Sequence, residues 1–89
     1  MIEREITVTN KLGLHARASA KLVQTMAGFR SSAKLAAKGR EVDAKSIMGV
    51  MMLAAGQGTQ VTLKIDGEDE AEAMAAAADL FARNFDEGG

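Results

Sequence analysis

Eighty-nine residues with a formal net charge of −1 suffice for one domain, residues 1–89, and leave no broad basic surface for nucleic acid or an anionic membrane. Three aromatic residues, all Phe, supply no base-stacking platform, and the absence of Cys removes disulfides, thiol nucleophiles and zinc–thiolate sites. No apolar run approaches the roughly 20 residues that span a bilayer, and the charged start Met1-Ile2-Glu3-Arg4-Glu5 lacks a signal-peptide core, so a cytoplasmic location without membrane insertion is expected.

Ile2, Ile6 and Val8 share one parity against Glu3, Glu5 and Thr7, which predicts a first strand. Asn10-Lys11-Leu12-Gly13 reads as a turn or loop. From Ala16 the period lengthens. Ala16, Ala20, Val23 and Ala27 fall on one face with Leu22 and Met26 beside them, predicting an amphipathic helix closed by Gly28 as its C′ glycine. Ala33, Leu35 and Ala37 alternate with Ser32, Lys34 and Ala36 as a second strand, and Gly39 marks a tight turn into a short third strand around Glu41-Val42-Asp43. Ser46 suits an N-cap, Ile47 to Leu53 give two helical turns, and Gly56 and Gly58 break them. Val61, Leu63 and Ile65 alternate with Thr62 and Lys64 in the clearest strand. After the turn at Asp66-Gly67-Glu68-Asp69, an alanine-rich helix is predicted from about Glu70 to Asn84, with Met74, Ala77, Phe81 and Phe85 inward. The tail Asp86-Glu87-Gly88-Gly89 is expected to fray. The order β-α-β-β-α-β-α predicts an α+β fold: an open-faced β-sandwich with a four-stranded, mainly antiparallel sheet and three helices on one face.

The stretch "GLHARAS" holds the only histidine. A helix starting at Ala16 puts His15 at its N-cap, where the free N–H groups of Ala16 and Arg17 and the macrodipole make an anion site. Arg17 adds a guanidinium fork suited to phosphate oxygens. A neutral imidazole is nucleophilic, so these residues describe a phosphoryl acceptor beside a cradle for a doubly charged group. The bland alternative is a histidine that merely caps the helix and an arginine that is merely solvated, and composition and spacing alone favour it. No second base stands near His15 in the sequence, so a His/Asp pair has no support there. Ser46 is fully explained as an N-cap worth about 1 kcal/mol over alanine. Ile47, Met48, Val50, Met51, Met52 and Leu53 are too many apolar residues for one side of so short a helix, so some must face solvent.

"LGLHARASAKLVQTMAGF" together with "DAKSIMGVMMLAAGQGTQVTLKIDGEDEAEA" resembles the HPr family, the histidine-containing phosphocarriers of the bacterial phosphoenolpyruvate-dependent phosphotransferase system. The resemblance covers nearly the whole chain and includes the order of elements. It implies that Nδ1 of His15 accepts a phosphoryl group from enzyme I, that Arg17 contacts the phosphate, and that A-type domains of enzyme II receive it. No metal or cofactor is needed, because the energy comes from phosphoenolpyruvate, and the chain is a carried substrate rather than a turnover catalyst. In part of the family an HPr kinase/phosphorylase modifies the serine that matches Ser46. The resemblance also places partner docking at the start of the His15 helix and on the second helix; Ile47, Met48 and Met51 are expected to be its outward residues, and the chain is expected to be a monomer.

One departure is Ala18, where the family usually has proline. Alanine there leaves an extra donor and a looser helix start, costing up to about 1 kcal/mol through the unfolded state. A competing reading is a small acylphosphatase-like enzyme that holds phosphate and water with Arg17 and Asn10, although only Gly13 represents the glycine-rich anion loop such an enzyme wants. A ligand- or RNA-binding module would want aromatics or a basic patch, and neither is present.

Overall fold

Strand alternation and helical periodicity meet in a computed structural model that describes residues 1–87. Strand β1 (Ile2–Thr7) leads by a loop into helix α1 (Ala16–Ala27), and β2 (Ser32–Ala37) and β3 (Arg40–Asp43) form a hairpin. Helix α2 (Ile47–Met52), β4 (Gln60–Asp66) and α3 (Glu70–Ala82) complete the expected β-α-β-β-α-β-α order. The sheet runs β1-β4-β2-β3, and every neighbouring pair is antiparallel. Val61, Leu63 and Ile65 of β4 are fully buried, opposite Ile6, Leu35 and Ala33 respectively, and share a core with Leu22 and Met26 of α1, Val50 of α2 and Phe81 of α3. Period-2 alternation thus covers one sheet face with helices and leaves the other polar.

The turn between β2 and β3 is Lys38-Gly39, with φ of 53° and 78°. Two left-handed residues match the twist of a two-residue hairpin. Helix α2 starts as predicted, with the Ser46 hydroxyl accepting from the Gly49 N–H at 3.1 Å.

Five local expectations are corrected. The buried stripe of α1 is Ala18, Leu22 and Met26 with Ser19, whereas Ala16 and Ala27 are exposed and Val23 is half-buried. Burial follows apolar area, so the helix turns Leu22 and Met26 inward and leaves Ala16 and Ala27 outside. The first turn closes despite alanine at position 18, with the Ser19 N–H donating to the His15 carbonyl at 2.8 Å. Gly28 has an ordinary right-handed φ of −75° and is therefore no left-handed C′ residue; its N–H reaches Thr25 O and closes a tightened last turn. Helix α2 is ended by Ala54 at φ 50°, ahead of both predicted glycines. Helix α3 stops at Ala82, short of Asn84. Asn84, Phe85 and Asp86 are all left-handed (φ 54°, 55° and 60°) in a 3₁₀ turn that swings Phe85 back into the core, edge-on to Phe81 at 4.9 Å between ring centroids. Against the expectation of a frayed tail, Asp86 is hydrogen-bonded to Arg83 and Glu87 to Asn10; Gly88 and Gly89 lie outside the described residues.

Asp69 precedes α3 without capping it. Its carboxylate instead accepts from the Ser31 hydroxyl and from the N–H groups of Arg30 and Ser31. The Ser31 hydroxyl, and then the Arg30 N–H, hold the Asp69 carboxyl down at about 2.

Candidate functional site

The loop from Val8 to His15 is stitched to the segment after α2. Val8 N–H donates to Thr59 O at 2.9 Å, Gly58 N–H to Val8 O at 2.7 Å, and Leu14 N–H to Ala55 O at 2.9 Å. Gly13 makes the closest approach: at φ +67°, an added Cβ would lie 2.6 Å from Ala55 O and 2.8 Å from the Gly56 Cα. The buried Ser19 hydroxyl then donates to Leu14 O at 3.1 Å, tying the loop to α1. These contacts fix where His15 leaves the loop.

His15 is the N-cap of α1, in an extended conformation, and its Nδ1 accepts from the Arg17 N–H at 3.3 Å. An accepting Nδ1 carries a lone pair, and that lone pair faces the helix start. The other ring nitrogen, Nε2, meets a carboxylate oxygen of Glu87. The His15 side chain is 30% exposed and Glu87 12%, so the pair is partly shielded from solvent. An open cleft of about 570 Å³ is lined by Leu12, His15, Ala16, Arg17, Lys21, Asp86 and Glu87. Among the described residues no carboxylate pairs with the exposed Arg17 guanidinium, which leaves it available to an anion. The Lys21 ammonium donates to Phe85 O at 2.6 Å.

Glu87 is the site residue that sequence reasoning missed, and it supplies the carboxylate partner judged unsupported near His15. Burial pushes its carboxyl up, but the Asn10 amide and His15 as hydrogen-bond donors, with the nearby Lys21 charge, more than offset this, and the net shift is downward. It is therefore a carboxylate at neutral pH. Glu87 lies 72 positions from His15, and no period or motif links the two.

Asn10 is fully buried, and its amide nitrogen is committed to Gly13 O at 2.7 Å and Glu87 Oε1 at 3.0 Å. It cannot hold a phosphate beside Arg17, which removes the acylphosphatase-like arrangement. Ser46 is half-buried at the start of α2, on a separate element from the cleft. Ile47, Met48 and Met51 face solvent at 41%, 70% and 39% exposure, as expected, and the exposed apolar surface also includes Met52 and Leu12. No helix of the described residues is long and apolar enough to cross a membrane.

Residues 2–83 match the family model for the PTS HPr component phosphorylation site. The phosphocarrier protein HPr of Xylella fastidiosa (strain Temecula1) is 66% identical over 87 residues, 98% of either chain. The crystal structure of HPr-C-His from Thermoanaerobacter tengcongensis superposes with a TM-score of 0.94 at 45% identity, covering 98% of both chains. The crystal structure of an HPr dimer from the same organism gives a TM-score of 0.77 at 45% identity, covering 96% of this chain and 98% of that one.

Proposed function

Because the chain belongs to the HPr family, the phosphocarriers of the phosphotransferase system, we propose that Nδ1 of His15 accepts a phosphoryl group from phospho-enzyme I and passes it to A-type domains of enzyme II. The observation that carries this reading is the Nδ1 lone pair held at the helix start, in a cleft that Arg17 also lines and where no carboxylate among the described residues pairs with its guanidinium. In the transfer, the Nδ1 pair attacks phosphorus and a P–N bond forms. The bond from phosphorus to the donor breaks, and its electron pair leaves with the donor. Nε2 keeps its proton, so the phosphorylated ring is a cation. Once the Nδ1 pair is used, the Arg17 N–H that it accepted is released to a phosphoryl oxygen, together with the Ala16 N–H. A dianion at a helix N-terminus gains from the free N–H groups and the dipole, by ~0.3–2 kcal/mol. Arg17 adds a charge-assisted fork.

The exposed surface of Ile47, Met48 and Met51 suits brief docking to several unrelated partners, because methionine side chains repack cheaply. Ser46 is proposed as a second, regulatory acceptor for a kinase of the HPr kinase/phosphorylase type. A phosphate there adds about −1.5 to −2 charges next to that surface and slows delivery to His15 by repelling acidic partners. Residues 1–89 act as one carrier domain in the cytoplasm, within a sugar-transport system, and as a monomer; sedimentation velocity separates the monomer from a dimer of the kind solved for the T. tengcongensis protein.

The test is intact mass after incubation with phosphoenolpyruvate and catalytic enzyme I. A single acid-labile, base-stable phosphoryl gain that is absent from His15→Ala supports the reading. No gain with an active enzyme I contradicts it.

A further inference from the structure

We propose that Glu87 is a positioning residue for phosphoryl transfer: its carboxylate holds the Nε2–H of His15 and so keeps the Nδ1 lone pair aimed at the helix start. The proposal rests on His15 being the acceptor. A neutral imidazole has one N–H and one lone pair. Nδ1 is already an acceptor, from the Arg17 N–H, so the proton belongs on Nε2, where Glu87 Oε2 receives it. A carboxylate fixing the far nitrogen of a working histidine sets both its tautomer and its ring orientation.

The carboxylate is itself held. Glu87 Oε1 accepts from Nδ2 of the buried Asn10, and the same nitrogen donates to Gly13 O in the loop that delivers His15. One amide therefore registers the carboxylate against the loop. The segment that carries Glu87 is anchored three more times: the Thr9 hydroxyl donates to the Asn84 side chain at 2.6 Å, Lys21 holds Phe85 O at 2.6 Å, and the Phe85 ring is fully buried. Three successive non-glycine residues, Asn84, Phe85 and Asp86, are left-handed. Such a run persists only where its surroundings over-determine it, and strain of this kind gathers at functional sites. What the strained turn delivers is the Glu87 carboxylate onto His15. After transfer the same carboxylate faces the cationic phospho-imidazolium across the retained Nε2–H, which also favours the phosphorylated state.

The test uses the full chain and compares wild type with Glu87→Ala, Glu87→Gln and Glu87→Asp. In the unphosphorylated protein, ¹⁵N-edited NMR of the His15 ring reads the tautomer and the exchange protection of the Nε2 proton. Wild type is expected to show a protonated, protected Nε2 and an unprotonated Nδ1. Glu87→Ala is expected to lose the protection and to lower the ratio of Nε2–H to Nδ1–H forms roughly tenfold, the scale of one charge-assisted hydrogen bond. Its kcat for accepting the group from phospho-enzyme I falls by a similar factor with KM unchanged, because the docking residues are untouched. Glu87→Gln, which keeps an acceptor without the charge, falls between, and Glu87→Asp regains part of the rate. Wild-type ring signals and transfer kinetics in both Glu87→Ala and Glu87→Gln would overturn the proposal. If wild type takes up no phosphoryl group while the ring signals change as stated, the acceptor reading fails and the positioning contact stands.

Discussion

Replacing Gly13 with alanine combines two penalties that can be separated. At φ +67°, any L-residue pays the left-handed penalty, ~1–2 kcal/mol. The new Cβ would also sit 2.6 Å from Ala55 O and 2.8 Å from the Gly56 Cα. Both are backbone atoms, so no side chain can swing aside, and relieving the overlap means shifting one loop at a cost of ~1–3 kcal/mol. The expected total is about 2–5 kcal/mol, a large share of the ~5–15 kcal/mol of an ordinary small domain. Gly39 is the control: its φ is +78°, and an added Cβ meets nothing within 4 Å. Gly39→Ala therefore carries only the left-handed penalty, ~1–2 kcal/mol. Urea unfolding of both variants beside wild type gives the difference directly. Because Gly13 also sets the path of the chain into His15, Gly13→Ala should slow phosphoryl acceptance in conditions where it remains folded, while folded Gly39→Ala transfers normally. Equal destabilisation by the two substitutions would refute the close-approach argument.

Asp69 predicts an acid limb in stability. Its carboxyl is held at about 2 by Ser31 and Arg30, below its unfolded value, so it stabilises the fold above the unfolded pKa and loses this as pH falls from about 4 towards about 2. Asp69→Asn should lower the urea midpoint most at neutral pH, and the gap from wild type should close as pH approaches 2; a gap independent of pH would contradict this. Ser46→Asp should leave stability within ~0.5 kcal/mol, since Asp caps as well as Ser, yet slow transfer to His15; unchanged transfer rules out the proposed regulatory effect. Met48→Ala removes a side chain that is 70% exposed, so the fold should be unaffected while KM for enzyme I rises about fivefold, the scale of ~1 kcal/mol at an interface. Wild-type KM would move docking away from α2.

The regular elements were legible because their signals are local. Val61, Leu63 and Ile65 alternate with polar residues, and Ser46 stands where an N-cap hydroxyl is needed. His15 and Arg17 could be singled out because a strand pattern gives way to a helix pattern between Val8 and Ala16. The face of α1 was misread because many small alanines outweigh two large residues in a pattern, whereas burial weighs area and favours Leu22 and Met26. The left-handed Ala54 and Phe85 carry no local mark, whereas Asn84 and Asp86 are of the residue types that adopt this region most readily, a signal too weak to place a turn by itself. Glu87 was likewise unmarked. Its meeting with His15 depends on Phe85, Asn10 and Lys21 converging through the tertiary fold.

The most direct test of the carrier chemistry is ³¹P–¹⁵N NMR of the ¹⁵N-labelled chain after phosphorylation by enzyme I and phosphoenolpyruvate. Expected is phosphorus coupled to Nδ1 of His15, with the amide signals of Ala16 and Arg17 moving furthest. Coupling to Nε2, a phosphoryl group on another residue, or unmoved Ala16 and Arg17 amides would contradict a lone pair and anion cradle built at the start of α1.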